Sequence, residues 1–359
     1  MNPTKKSSMK PGYLYDVVLI RPILIILLVF FHAFAPFSGG WEPINGYPVI
    51  KAYWWLDWLS YSFMLETFVF ISGYVYGYQV RIKGETKLEI KSLLKNKVTR
   101  LLIPSFFFSF LYILIFQDIT QPLHKTAYEV IRGVGHMWFL PMLFWCFLST
   151  WFIEKIRINP KVVTPILVLL SIFPFVPIPF QIGKTMYYML FFYFGYEIQR
   201  REIDVSKYYT KTNVGLLLVL FSVLFPILTI FKCNIDSIGG GILFDIIFIP
   251  SLKHIAQLIY SMIGLLLLFC STGFFIKQRE QREHRDKEMP YCVVCIGQFC
   301  MGVYLFQQFI LKAIYYHTTF PQRIDAIILP WIGFIVALLL SILLSYLFKL
   351  SKVGRILIG

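Results

Sequence analysis

Arg21 and His32 stand in an apolar stretch, residues 17–37, that holds no other charge and no other histidine. A guanidinium is a permanent cation that grips anions through paired N–H groups, and an imidazole takes or gives a proton near neutral pH. Eleven helical residues make about three turns, so the two side chains project from nearly one face, roughly 16 Å apart along the axis. One helix would then carry an anion-binding group at one depth and a base at another. Ionisable groups inside a membrane are costly and mark functional sites with partners elsewhere in the bundle, although Arg21 is equally placed to snorkel to lipid headgroups. Glu66 is the expected partner of His32. It is the one acid deep in the apolar stretch 56–80, and a carboxylate beside an imidazole fixes its tautomer and stabilises the imidazolium.

Other residues fall where a bundle with an internal cavity needs them. Lys97 and Arg100, three apart before Pro104, share a helix face and suit a phosphate. His136 and Trp138, with Pro141 close behind, open the stretch 136–154 and are expected to face a cavity together with Ser72. Trp138 fits an interfacial aromatic belt as well. The same double reading holds for the run from Tyr53 to Trp58, whose rings and single acid, Asp57, suit either a belt or the stacking of sugars. Gly73 and Gly77, four apart, predict a close helix contact.

The elements that must position these groups follow from composition. The chain is 57% hydrophobic and 15% charged, against about 25% charged in a soluble domain. Apolar stretches of about 17 to 25 residues are long enough to span a bilayer. Ten are expected: 17–37, 56–80, 98–117, 136–154, 161–178, 184–199, 213–231, 255–276, 292–315 and 325–349. Counted over the connecting loops, roughly three-quarters of the 34 Lys and Arg residues fall on the side of the N-terminus, which predicts that both termini are cytoplasmic. The fold class expected is all-α, a polytopic integral membrane bundle of about ten transmembrane helices. A tail, 1–16, precedes a single transmembrane domain, 17–359. The segment 233–254 between the seventh and eighth stretches, with a short apolar run at 242–250, is expected to re-enter the membrane or to lie across the outer mouth.

Several function classes are excluded. The net charge of +15 is spread over loops, whereas a nucleic-acid partner needs its bases gathered on one soluble domain. Cys292 and Cys295 form a C-x-x-C without a second pair or a nearby histidine, so no metal site is expected. The opening residues are too polar, and the first stretch too long, for a removable signal peptide.

In order along the chain, Arg21 and His32, Glu66 leading to Phe70-Ile71-Ser72-Gly73-Tyr74, Lys97 to Arg100 before Pro104, and Trp138 to Pro141 resemble the successive signatures of the membrane-bound acyltransferase-3 family. Tyr193 to Tyr196, Gly302 to Gln308 and Val353 to Gly359 extend the resemblance to nearly the whole sequence. It implies an acyltransferase acting on groups other than aminoacyl groups: an O-acetyltransferase of the bacterial cytoplasmic membrane. The donor would be cytoplasmic acyl-CoA, most simply acetyl-CoA, used as a substrate with no permanently bound cofactor. The acceptor would be a hydroxyl of a cell-surface polysaccharide or lipid-linked sugar of the cell envelope, and the remaining partners membrane lipids, with no nucleic acid. Arg21 and His32 match the family's essential pair. Arg21, Lys97 and Arg100 are the expected acyl-CoA contacts, although Lys97 replaces an arginine and loses its fork. His32, Glu66 and Arg21 are the expected catalytic set, and Ser72, His136 and Trp138 the acceptor cavity. Some members carry a C-terminal esterase-like domain; here a second transfer step is expected to fall to a separate protein or to be absent. The rival from another class is a membrane carrier for a glycan or small organic acid, in which Arg21 binds substrate while His32 and Glu66 relay protons.

Overall fold

The computed structural model describes residues 14–44, 47–84, 89–117, 122–173, 178–241, 244–282 and 291–358. Among them every regular element is helical. Helix α1 is Tyr15–Ser38, α2 Lys51–Tyr61 and α3 Met64–Lys83; α4 Ile90–Lys97 passes through a π-helical turn, Val98–Leu102, into α5 Ile103–Phe116. Then come α6 Leu123–Arg132, a 3-10 turn Gly135–Trp138, α7 Phe139–Ile156, α8 Pro160–Ile172, α9 Ile182–Arg200 and α10 Lys211–Asn234. The chain closes with α11 Ile249–Arg282, α12 Tyr291–Tyr316, α13 Leu329–Leu350 and α14 Lys352–Ile358.

Among the described residues, six segments are long and apolar enough to cross a membrane: Tyr15–Ser38, Ile90–Phe116, Gly135–Ile156, Lys211–Ser237, Phe244–Gln281 and Leu329–Leu350. Helices α3, α8, α9 and α12 occupy the other four expected stretches. All four carry buried polar groups: Glu66 on α3, Ser171 on α8, Thr185 on α9 and Gln307 on α12. A helix shielded by its neighbours need not be apolar all round, because its polar atoms find partners in the bundle. Helix α8 has 13 residues, about 20 Å of rise.

Helix α1 is the hub. It packs on α2, α3, α11, α12 and α13, and most of its length from Leu24 to Ser38 is buried. Tertiary hydrogen bonds hold both ends and the middle: Tyr74 donates to Asp16 Oδ2 at 2.6 Å, Ser38 Oγ to Asp57 Oδ2 at 2.5 Å, and Tyr315 to the Ala33 carbonyl at 2.9 Å. The helix stops at Gly39, whose φ of +88° admits the left-handed cap and lets its N–H bond the Ala35 carbonyl. The closest crossing is α3 on α9. A Cβ on Gly73, Gly77 or Gly195 would run into the backbone carbonyl of Phe192, Tyr196 or Phe70 respectively, so the absence of side chains sets the separation of the axes.

Three expectations are refined. The stretch 56–80 breaks into α2 and α3 at Ser62 and Phe63. The Ser62 carbonyl, released from the helical ladder, accepts Ser261 Oγ at 2.6 Å and Gln257 Nε2 at 3.3 Å from α11, and such substitution lets a helix break within a bundle. Residues 244–248 form a π-turn that runs straight into α11, so the described part of the short apolar run lengthens that helix. Asp57, grouped in the sequence with rings suited to a belt or to sugars, is buried on α2 and tied to the end of α1.

Candidate functional site

Two cavities lie along α1. The first, of about 550 Å3, is lined by Arg21 with Val17 and Val18 from α1, Lys83 and Val75 from α3, Ser92 and Lys97 from α4, and Arg100 from the π-turn. The structure thus brings Arg21, Lys97 and Arg100 together and adds Lys83, and the described lining residues include no acid. Lys97 is held by aromatic faces, its Nζ 3.4 Å from the Phe147 ring centre and 5.9 Å from that of Tyr76. The π-turn places Arg100 on the cavity side, and such extra residues inside helices recur at functional positions. Four bases around one opening give it a positive charge that attracts anions, with arginines suited to bidentate phosphate contact.

The second cavity, of about 280 Å3, is lined by His32 and Leu28 of α1, Tyr61 and Leu65, Gly135, His136 and Trp138 of the 3-10 turn, Phe139 of α7, Tyr304, Gln308 and Lys312 of α12, and Tyr112 of α5. His32, His136 and Trp138 therefore meet here. The two imidazole rings stand edge to face, 6.0 Å between centres, and Trp41 stacks beside His32 at 5.5 Å. On α1, Leu28 and His32 sit seven and eleven positions after Arg21, so one face of the helix serves both cavities.

Helix α12 orients both rings through consecutive amides. His136 N–H donates to Gln308 Oε1 at 3.2 Å, which fixes that atom as the amide oxygen; the His136 Nδ1 beside the same oxygen is then protonated, leaving Nε2 with the lone pair. His32 Nδ1 lies 3.1 Å from Gln307 Oε1. With the amide oxygen facing the ring, Nδ1 donates and Nε2 of His32 is the basic nitrogen. The turn carrying His136 is anchored further. Val134 N–H donates to Ser109 Oγ at 3.1 Å, Ser105 Oγ to the Met137 carbonyl at 3.4 Å, and Tyr304 to the His136 carbonyl at 2.5 Å. Gly135, at φ +58°, has Gln308 Oε1 2.8 Å from where a Cβ would sit, so a side chain there would displace the amide that holds His136.

Glu66 does not take the expected place. Its Oε1 accepts from Tyr187 at 3.0 Å and from Gln257 Nε2 at 3.2 Å, while Gln307 supplies the hydrogen bond to His32. Glu66 belongs to a buried network that continues through Gln257 Oε1 to Lys232 Nζ at 2.6 Å, tying α3 to α10 and α11. Ser72 also departs from expectation, because its hydroxyl turns back on α3 and donates to the Phe68 carbonyl at 2.8 Å. Gln307 and Gln308 went unrecognised as orienting groups. The available signal was two adjacent amides midway along the mainly apolar stretch 292–315, since buried amides require hydrogen-bond partners. The side chains of Cys292 and Cys295 lie outside the described residues, and among those described no cluster of three or more His, Cys, Asp or Glu residues could hold a metal.

An all-helical membrane bundle with a basic cavity and an imidazole cavity on one central helix defines the class, a multi-pass integral membrane protein. A family model described as an acyltransferase domain matches residues 14–350. The chain belongs to this family, the acyltransferase-3 membrane acyltransferases. No curated protein and no solved structure matches it.

Proposed function

We propose that the protein transfers an acyl group, acetyl in the simplest case, from cytoplasmic acyl-CoA to a hydroxyl of a cell-surface or lipid-linked glycan. The observation that carries this is the arrangement on α1, with four bases around Arg21 in one cavity and two imidazoles at His32 in the other. The CoA phosphates would occupy the basic cavity. Eleven residues of α1, about 16 Å of rise, match the reach of a pantetheine arm carrying its thioester toward His32. Ten spans with both termini cytoplasmic would put the basic cavity on the side where CoA is found. The excess of Lys and Arg in the loops on that side supports this orientation in a bacterial cytoplasmic membrane.

The chemistry follows from the tautomers. A sugar hydroxyl has too high a pKa to attack a thioester unaided. His32 Nε2 takes its proton as the oxygen bonds to the carbonyl carbon, and the C–S bond then breaks. The imidazolium returns the proton to the departing CoA sulfur, so one ester and one free thiol result. Positioned general-base catalysis of this kind contributes about 10² to 10⁴ in rate. Gln307 holds the ring through Nδ1. His136 presents a second lone-pair nitrogen, edge-on to the first ring, suited to accept a hydrogen bond from the incoming hydroxyl.

The test compares CoA release and ester formation on glycan in membranes holding wild type or His32→Ala at equal folded amounts. Wild type releases CoA and forms ester in step, and the variant loses at least about 10² in rate. Equal behaviour of the two, with no CoA-dependent ester from either, would exclude this function and favour a carrier.

A further inference from the structure

Lys312 lies in the wall of the imidazole cavity, and the mechanism above does not use it. Its ammonium is surrounded by aromatic faces. Nζ is 5.5 Å from the ring centres of Trp41 and Tyr112 and 5.8 Å from that of Tyr316. Those contacts hold the group in place but leave its N–H donors without a charged acceptor. Among the described residues no carboxylate comes within salt-bridge distance of it. Glu42, the acid that acts on it electrostatically, is solvent-exposed, and its backbone carbonyl accepts the Tyr316 hydroxyl at 2.6 Å. The described lining of this cavity contains no acid, and Lys312 is its single lysine or arginine. Trp138 carries Lys184 on its face, Nζ 3.7 Å from the ring centre, with Arg132 nearby.

Trp41 is shared: the His32 ring stacks at 5.5 Å and the Lys312 ammonium sits at 5.5 Å. A group bound to Lys312 and the His32 ring therefore contact the same indole, a separation within the span of a disaccharide. A cation in a low-dielectric cavity, with no acid in the wall, attracts anions and disfavours cations. A neutral glycan would leave the ammonium without a partner.

Resting on the acyl-transfer function proposed above, the geometry points to Lys312 as the residue that selects the acceptor, and to an acceptor glycan that carries a negative charge close to the hydroxyl it offers. The charge is the carboxylate of an acidic sugar or the phosphate of a glycosyl phosphate. Both are oxyanions that accept two or more N–H groups from an ammonium.

Three matched probes decide it: a neutral disaccharide, its uronic acid form and its glycosyl phosphate form. The first readout needs no acyl transfer. Full-length protein in detergent micelles is melted with each probe, as wild type, Lys312→Gln and Lys312→Arg. Wild type is stabilised by an anionic probe at concentrations where the neutral one has no effect; the glutamine variant loses that difference and the arginine variant keeps it. Whichever of the uronic acid and the phosphate stabilises more identifies the source of the charge. Equal shifts from neutral and anionic probes, no shift from any probe, or a difference that survives in Lys312→Gln each overturns the inference.

The second readout uses the same probes as acceptors with acetyl-CoA. Lys312→Gln raises the KM for the anionic acceptor by about tenfold to a hundredfold, the scale of one charge-assisted hydrogen bond. The loss falls on KM rather than kcat. An equal fall in kcat on all three acceptors would overturn the assignment in favour of a role in the chemical step. Stabilisation by anionic probes that depends on Lys312, without ester on any acceptor, would keep the anion site and count against acyl transfer instead.

Discussion

At His32 the Nδ1 atom lies 3.1 Å from Gln307 Oε1, and with the amide oxygen on that side this single hydrogen bond decides which ring nitrogen can act as a base. Losing it frees the ring to rotate and to exchange tautomers, without removing any group that touches the donor. A hydrogen bond of this kind contributes about 0.5–1.5 kcal/mol. Gln307→Leu therefore lowers kcat by up to about tenfold with the acyl-CoA KM unchanged, and Gln307→Glu, which keeps an acceptor for Nδ1–H, recovers most of the loss. Steady-state turnover in membranes separates the two parameters. A leucine variant with wild-type kcat, or a glutamate variant as slow as leucine, would remove Gln307 from the positioning role. The residue types at this site were partly legible in the sequence. His32 declared itself by standing in an apolar stretch, and His136 and Trp138 by opening another. The orienting partner did not. Glu66 was the natural choice by depth, yet its carboxylate is held by Tyr187 and Gln257, because which faces of α1, α3 and α12 meet is a property of packing that depth along a helix does not encode.

The α3–α9 crossing shows how elements are held where neither partner is strongly apolar. Without a hydrophobic drive between helices in lipid, close backbone approach and dispersion set the contact, and Gly73, Gly77 and Gly195 make it possible. Gly195→Ala places a methyl against the Phe70 carbonyl, and the helices must part. Overpacking of this kind costs about 1–3 kcal/mol, so the variant melts several degrees below wild type in detergent and loses activity in proportion to unfolded protein. A melting temperature unchanged within error would show that the crossing has slack. The sequence predicted a close contact at Gly73 and Gly77, and each expected apolar stretch holds a helix. It did not reveal the break between α2 and α3. The groups that satisfy the released Ser62 carbonyl, Ser261 and Gln257, lie nearly two hundred residues further on. Nor did it reveal that 244–248 extends α11, since a short apolar run has the same composition whether it re-enters or simply lengthens a helix.

Across the whole molecule, α1 joins a basic cavity to an imidazole cavity, and the loop charges orient the pair. On the proposed function, and with both termini cytoplasmic, donor and acceptor would meet at His32 from opposite sides of the membrane. The function then has a sidedness that neither cavity has alone. The decisive measurement uses sealed vesicles of known orientation, inside-out and right-side-out, each given acetyl-CoA in the outer medium with acceptor glycan on both sides. Inside-out vesicles, which expose the Arg21 cavity to the medium, release CoA and form ester. Right-side-out vesicles do so only after being made permeable. Equal turnover in both orientations, or turnover confined to intact right-side-out vesicles, would contradict the assignment of the basic cavity as the donor's entrance.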